Sequence, residues 1–399
     1  MSKVVFASAT KPLFYSFIIF ISIQPILYWT ISKAFAQGHK VFFYGIMVVM
    51  AITILKNRSV VKDNLIIFIG IYSIWLIVLG LALNPIGKAT FAHLQPILLP
   101  ILGINFGYLI ARDRPDILAH IYSGSYKLGL VLSAIIVSYY LLYQVGLIAY
   151  FGASSLIFIP IFWAFLEKKW IIFVLFVFVL FLTGKRSSTL AVTAVLLFSI
   201  LRHLDVKQIL AVSGAAAFFW AGVGFLTNFF SNLFKRYEPI VEAFNWSDIR
   251  LNGFSAIDLK ILDVATSGRV NDFLGAVNAL NENLLFWFTG KGIGGMFEVF
   301  VPTTSNWITH YSHFTPISYV FLGGAIMLIA VYGKLISLLF YSLKTINSFY
   351  SMLFVYWFIM SLIGGAIYFT DPFIWLFVGV VIYQKKHHNS KNQDFYPQI

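Results

Sequence analysis

The chain has no cysteine, so a disulfide, a thiolate-held metal and a thiol nucleophile are all excluded. Acidic residues are scarce, with 15 Asp and Glu against 28 Lys and Arg in 399 residues, and the charged types together make only 11% of the sequence. Soluble globular domains carry about 25% charge, so a surface facing water all round is excluded as well. Apolar residues fill the gap: 60% of the chain is hydrophobic, with 42 Phe and 21 Tyr, and the mean hydropathy is +0.86. Long uncharged runs recur from end to end, and about 17 to 25 such residues cross a hydrocarbon layer of about 30 Å. The reading is an all-α, polytopic integral membrane protein that forms a single domain over residues 1–399.

Uncharged runs place spans near 12–32, 41–55, 65–83, 94–111, 128–148, 154–166, 170–183, 187–201, 208–227, 313–341, 350–369 and 373–384, about twelve in all. The first, from Leu13 to Ile31, is longer than a signal-peptide core and is followed by no small-residue cleavage pattern, so it reads as a retained span. The net charge of +13 does not point to nucleic acid, because the cations fall singly in short loops instead of forming a stripe with interleaved aromatics. They report orientation. With a cytoplasmic N-terminus the inner loops are "KNRSVVKDN", "ARDRPD" through Lys127, "EKK", "RHLDVK", the Lys344 turn and the tail "KKHHNSK", all basic, as the positive-inside rule requires. The opposite loops "LNPIGKATFAH", "AYFGAS" and "FTDP" carry few cations.

Two features break this pattern. "FLTGKRSSTLAV" leaves Lys185 and Arg186 in a turn of a few residues on the outer side. The segment 228–312, a long outer loop between the ninth and tenth spans, also holds cations, but long loops translocate largely regardless of charge. The short turn is therefore the stronger signal. No internal repeat is visible, which counts against transporters built from inverted repeats. Within the long loop, Val270, Phe273, Leu274, Val277, Leu280 and Leu284 recur at helical spacing, with Thr266 or Ser267 as N-cap. This amphipathic helix is expected to lie against the bilayer surface or to cap the spans.

Each cation admits two readings. Lys185 and Arg186 either snorkel to lipid headgroups or hold an anionic ligand, the guanidinium fork matching two phosphate oxygens. Arg269, in "TSGRVND", either offers a cation beside the free N–H groups of a helix start or pairs with Asp272 three residues on. His310 and His313 in "ITHYSHF" stand where the tenth span opens, as interface histidines or as a proton acceptor; no further ligand at metal spacing accompanies them. "GKGIGG" lacks the strand a phosphate loop needs and is expected to be a flexible turn, with Lys291 within reach of an anionic headgroup. Glu238, Glu242, Asp248, Asp258, Asp263 and Asp371 are carboxylates with no paired spacing and are expected to be solvated or ion-paired.

The order of these signals, "TGKRSS" at one helix end, a long loop with "SGR" and "GKGIGG", then "HYSHF" and a "GG" inside the next span, resembles the O-antigen polymerase and O-antigen ligase superfamily over residues 180 to 330. The resemblance implies a metal-independent, cofactor-free, inverting glycosyltransferase of the bacterial inner membrane, with its active site facing the periplasm. The donor it implies is an undecaprenyl-diphosphate-linked oligosaccharide. The family's two diphosphate-holding arginines map to Arg186 and Arg269, and its histidine base to His313 or His310; Lys185 beside Arg186 and Lys291 in "GKGIGG" stand as further cations for the diphosphate. Membrane lipids, a chain-length regulator and a flippase of the same pathway are the implied partners, with no nucleic acid. This chain departs from the family pattern in offering two histidines and in lacking the His-Asn pair often seen there. The aromatic content favours a polymerase, joining lipid-linked repeat units, over a ligase acting on lipid A–core. A transporter or flippase would carry ionisable groups at mid-span, where the sequence offers Gln24, Asn105, Gln144 and Lys334. A structural or receptor role leaves the outer cations unexplained.

Overall fold

In the computed structural model the described residues are 12, 14–16, 18–20, 22–23, 39–57, 63–147, 156–203, 210, 214, 269–299, 307–309, 311–363 and 372–387. They form α1 (His39–Asn57), α2 (Asn64–Leu83), α3 (Lys88–Asp113), α4 (Pro115–Gln144), α5 (Phe158–Leu166), α6 (Trp170–Leu182) and α7 (Arg186–His203). Further along the chain come α8 (Arg269–Asn281), α9 (Phe286–Thr289), β1 (Phe297–Val299) and β2 (Trp307–Thr309), all within the segment 228–312, and then α10 (Thr315–Lys344), α11 (Phe349–Ile363) and α12 (Pro372–His387). Among the described residues, four helices are long and apolar enough to cross a membrane, α2, Ala89–Asp113 of α3, α4 and α10. The protein is thus all-α and membrane-embedded, as its composition requires. Most of the expected spans 12–32 and 208–227 lies outside the described residues.

The expected loop from "ARDRPD" to Lys127 is helix instead. Arg114 alone separates α3 from α4, because Pro115 starts a helix with its ring-fixed φ and Asp116 complements the first-turn dipole. Arg112 and Arg114 are neutralised locally by Asp113 and Asp116. The expected span 154–166 shortens to the nine residues of α5, which lie almost wholly in the core. There Phe158 stacks on Tyr356 of α11 with ring centroids 3.8 Å apart. In α3, Gly103 and Gly107, spaced as GxxxG, bring that helix against Trp375 and Leu376 of α12, the close approach that packs helices where lipid supplies no hydrophobic drive.

The expected single span 313–341 is broken. Gly323 (φ −137°, ψ 18°) and Gly324 (φ 69°, ψ −175°) interrupt α10, which frees carbonyls that water cannot satisfy at membrane depth. The Gly290–Gly295 segment satisfies them. Lys291 N–H donates to Phe321 O at 2.8 Å and Gly292 N–H to Leu322 O at 3.0 Å, while the Tyr72 hydroxyl of α2 donates to Gly323 O at 2.9 Å. The segment also reaches α2 and α3: Ile293 N–H meets Leu76 O at 3.2 Å, Asn84 Nδ2 donates to Lys291 O at 2.8 Å, and Gly294 N–H donates to buried His93 at 2.9 Å. "GKGIGG" is therefore a fixed knot and not the expected flexible turn. Its glycines are small because backbone meets backbone there, Gly292 lying against Gly80 of α2.

A second, smaller core sits on this knot. Ala276, Ala279 and Leu280 of α8 pack with Phe297 and Val299 of β1 and with Ile317, Val320 and Phe321 of α10. β1 pairs antiparallel with β2, Phe297 opposite Thr309, a hairpin the sequence reading did not anticipate. The buried face of α8 is the small-residue one. Of the expected apolar stripe, Leu280 is buried but Phe273, Leu274 and Leu284 are exposed, because Gly275 and the two alanines allow a closer fit to β1 than larger side chains would.

The break gives a paired prediction. Gly324→Ala places a Cβ on the carbonyl of Phe288 in a left-handed conformation, which costs at least about 1–2 kcal/mol before the clash is counted. Gly333, in the same helix, has nothing within 4 Å of its would-be Cβ. Thermal unfolding in detergent should fall clearly for Gly324→Ala and stay level or rise for Gly333→Ala.

Candidate functional site

The turn between α6 and α7 is built from short-range hydrogen bonds. Thr183 Oγ1 donates to Leu180 O at 2.6 Å, Gly184 takes φ 63°, and Lys185 supplies the carbonyl that accepts the first α7 bond from Thr189 N–H at 3.1 Å. Lys185 is thus the residue before the helix and Arg186 its first residue. Arg269 holds the same place in α8. Both helices therefore open on a cation, where the macrodipole already presents about half a positive charge.

Lys185 and Arg269 influence each other. Desolvation by its protein surroundings, and next the positive charge of Arg269, pull the Lys185 ammonium down to about 8. Lys185 and Arg269, 84 positions apart, are electrostatic neighbours. Ser188, on the first turn of α7, is fully buried, and its hydroxyl finds no hydrogen-bond partner among the described residues. Arg269 itself donates from Nη1 to the carbonyl of Ile363, the last residue of α11, which ties the start of α8 to the end of that span.

On the face of α8 that carries Arg269, one turn along, Asp272 is buried at 2% exposure. The expected surface pair of Arg269 with Asp272 is not what Asp272 makes. Its Oδ2 accepts from His313 Nδ1 and, at 3.4 Å, from the His313 backbone N–H. Its Oδ1 is buried with no hydrogen-bond partner among the described residues. Burial, then the negative charge of Asp272, push the Tyr311 hydroxyl up, which places that ring beside the same carboxylate. His313 is partly open, with 34% of its side chain exposed.

The other expected residues divide. Lys291 is not with the cluster: its ammonium meets Glu282 at 2.5 Å and lies 5.2 Å from the centre of the Phe286 ring. His310 and the carboxylates Glu238, Glu242, Asp248, Asp258, Asp263 and Asp371 lie outside the described residues, as do the expected caps Thr266 and Ser267. Of the polar groups weighed for a transporter, Asn105 donates to Ile101 O of its own helix at 2.7 Å, Gln144 to Tyr140 at 2.6 Å, and Lys334 pairs with buried Asp63 at 2.7 Å. Asp272 is the member of the site that sequence reasoning missed. Its signal was present, a carboxylate three residues after Arg269, but it was read as the arginine's partner.

No family model matches the chain, and no curated protein or solved structure matches it. What the site does therefore rests on its own chemistry: two cations in mutual electrostatic influence, and an imidazole held by a buried carboxylate three residues along the helix from one of them.

A binding test follows. Lys185 is charged below about pH 8 and loses its proton as pH rises through that value, whereas arginine keeps its charge throughout. Affinity of the detergent-purified protein for inorganic pyrophosphate, read by calorimetric titration, should weaken across about pH 8. Lys185→Arg should flatten that dependence.

Proposed function

We propose that this chain is a glycosyltransferase of polyprenyl-diphosphate-linked saccharides, working on the periplasmic face of a bacterial inner membrane as a polymerase of surface-polysaccharide repeat units. Its twelve-span topology, with both termini cytoplasmic, belongs to the same proposal. The observation that carries it is the mutual electrostatic influence of Lys185 and Arg269, with His313 held by Asp272 three residues along the helix from Arg269. The resemblance to the O-antigen polymerase and ligase superfamily supports the same assignment.

The chemistry is short. The acceptor hydroxyl oxygen attacks C1 of the donor sugar from the side opposite the diphosphate, the C1–O bond to phosphorus breaks, and undecaprenyl diphosphate leaves with the electron pair. Lys185, Arg186 and Arg269 stabilise the charge that grows on the departing diphosphate, a transition-state effect of the kind that supplies about 2.7–4 kcal/mol per donor. His313 takes the hydroxyl proton. Displacement from the opposite side inverts the anomeric centre. The donor is already activated, so the reaction draws on no nucleotide in a compartment that lacks ATP.

In a strain lacking this chain, lipopolysaccharide banding separates the acceptors: core carrying one repeat unit supports the polymerase, and bare core marks a ligase. Arg186→Ala should abolish chain extension while membrane insertion persists. Arg269→Lys should also fail, because an ammonium cannot present the fork that grips two phosphate oxygens. Normal long chains in the Arg186→Ala strain would remove the diphosphate role.

A further inference from the structure

We propose that Asp272 is the positioning residue of the reaction, holding His313 with its Nδ1–H on the carboxylate so that Nε2 stands ready to accept the hydroxyl proton. This rests on the transferase reading above. A carboxylate oxygen accepts and cannot donate, so the Nδ1 that meets it carries the hydrogen, and the unprotonated nitrogen of the neutral ring is Nε2. Nε2 makes no hydrogen bond among the described residues. The His313 side chain is 34% exposed, so an acceptor can approach the ring.

A merely structural Asp272 does not account for what is seen. An acidic residue in a first turn complements the helix dipole from the surface, yet Asp272 is buried at 2% exposure. A buried ion pair with Arg269 would neutralise it within its own helix, yet its bonds go to His313 across 41 positions. Its Oδ1 has no partner, and a buried unsatisfied polar atom costs about 1–3 kcal/mol, more for a charged group. That expense is unexplained by stability and is the pattern of groups kept for chemistry.

The surroundings are built to hold the ring still. Ser312, fully buried before His313, gives its backbone N–H to Ser318 Oγ at 2.8 Å, receives that hydroxyl on its carbonyl at 2.9 Å, and accepts Phe314 N–H on its own hydroxyl at 3.2 Å. The backbone on both sides of His313 is thereby pinned to the first turn of α10. Tyr311 meets the imidazole edge-on, with centroids 6.1 Å apart, and Phe314 meets Phe273 of α8 in the same manner at 5.8 Å. The carboxylate arrives on a helix fixed by its small-residue core, so both partners are on rigid supports, as a positioned base requires.

The test is a double-substitution cycle on chain extension in membrane vesicles from the host strain, which carry their own lipid-linked saccharide. His313→Gln should slow extension by about 10²- to 10⁴-fold, the usual worth of a general base. Asp272→Asn should slow it by about 10- to 100-fold, and adding Asp272→Asn to His313→Gln should change nothing further, because a residue that acts through another loses its effect when that other is gone. Multiplying effects, or an Asp272→Asn enzyme as fast as the parent, overturn the proposal. A measurement on the unsubstituted protein stands beside it in case a variant fails to fold: ¹⁵N spectra of histidine-labelled full-length chain, with His313 assigned by its loss in His313→Gln, should show the Nδ1–H tautomer, and an Nε2–H tautomer overturns the role. Parent vesicles that extend no chain overturn the transferase reading and the catalytic role with it, while the tautomer spectrum still reports whether Asp272 orients the ring.

Discussion

A membrane helix that breaks must hand its carbonyls to another donor, and the break of α10 at Gly323–Gly324 is answered by the backbone of Lys291 and Gly292. Everything at the functional end depends on that exchange. The knot fastens the Gly290–Gly295 segment to α2, α3 and α10 together. The second core then seats α8 on β1 and on the start of α10. Arg269 and Asp272 ride on that helix, so the hydrogen-bonding demand of the broken helix fixes the position of these charges, with Asp272 meeting His313 across 41 positions of sequence.

The charges make sense only as a set. Alone, Lys185 is a cation at a helix end, Arg269 a tie to the α11 carboxyl end, and Asp272 a first-turn acid. Together they bring two cations into mutual electrostatic influence, with the carboxylate of Asp272 committed to an imidazole. Each cation disfavours the charged form of the other, the direction in which burial also pushes Lys185. Under the proposed function a diphosphate would offset this with charge-assisted hydrogen bonds of about 1.5–3 kcal/mol each, most strongly when the leaving group carries its full charge, and that difference between ground and transition states would accelerate transfer. Arg112, Arg114, Lys291 and Lys334 each have a carboxylate partner.

Class and most helix positions were legible because they follow from composition and from runs without charge, which need no knowledge of partners. The continuity of helix from Arg112 to Lys127 was not, since charge was taken as a loop signal and the local pairs Arg112–Asp113 and Arg114–Asp116 that cancel it depend on geometry. Lys185, Arg269 and His313 stood out in the sequence as chemistry-bearing residues in unexpected places, and their separation along the chain hid only which of them meet. Asp272 was misassigned because spacing along a helix predicts the partner at the surface, and this residue faces inward. "GKGIGG" was read as freedom, although glycine equally marks close contact of backbones, and Gly323 of the "GG" lies 33 positions from Gly290, which it meets.

The absence of cysteine makes one measurement unusually clean. A single cysteine at Ser187, beside Lys185 and Arg186, would be the protein's sole thiol, and its labelling by a membrane-impermeant maleimide reports both where the cationic turn faces and what covers it. The account predicts labelling from outside in spheroplasts and strong protection by added undecaprenyl diphosphate. Labelling confined to permeabilised cells, or labelling from outside that the lipid diphosphate leaves unchanged, would contradict it.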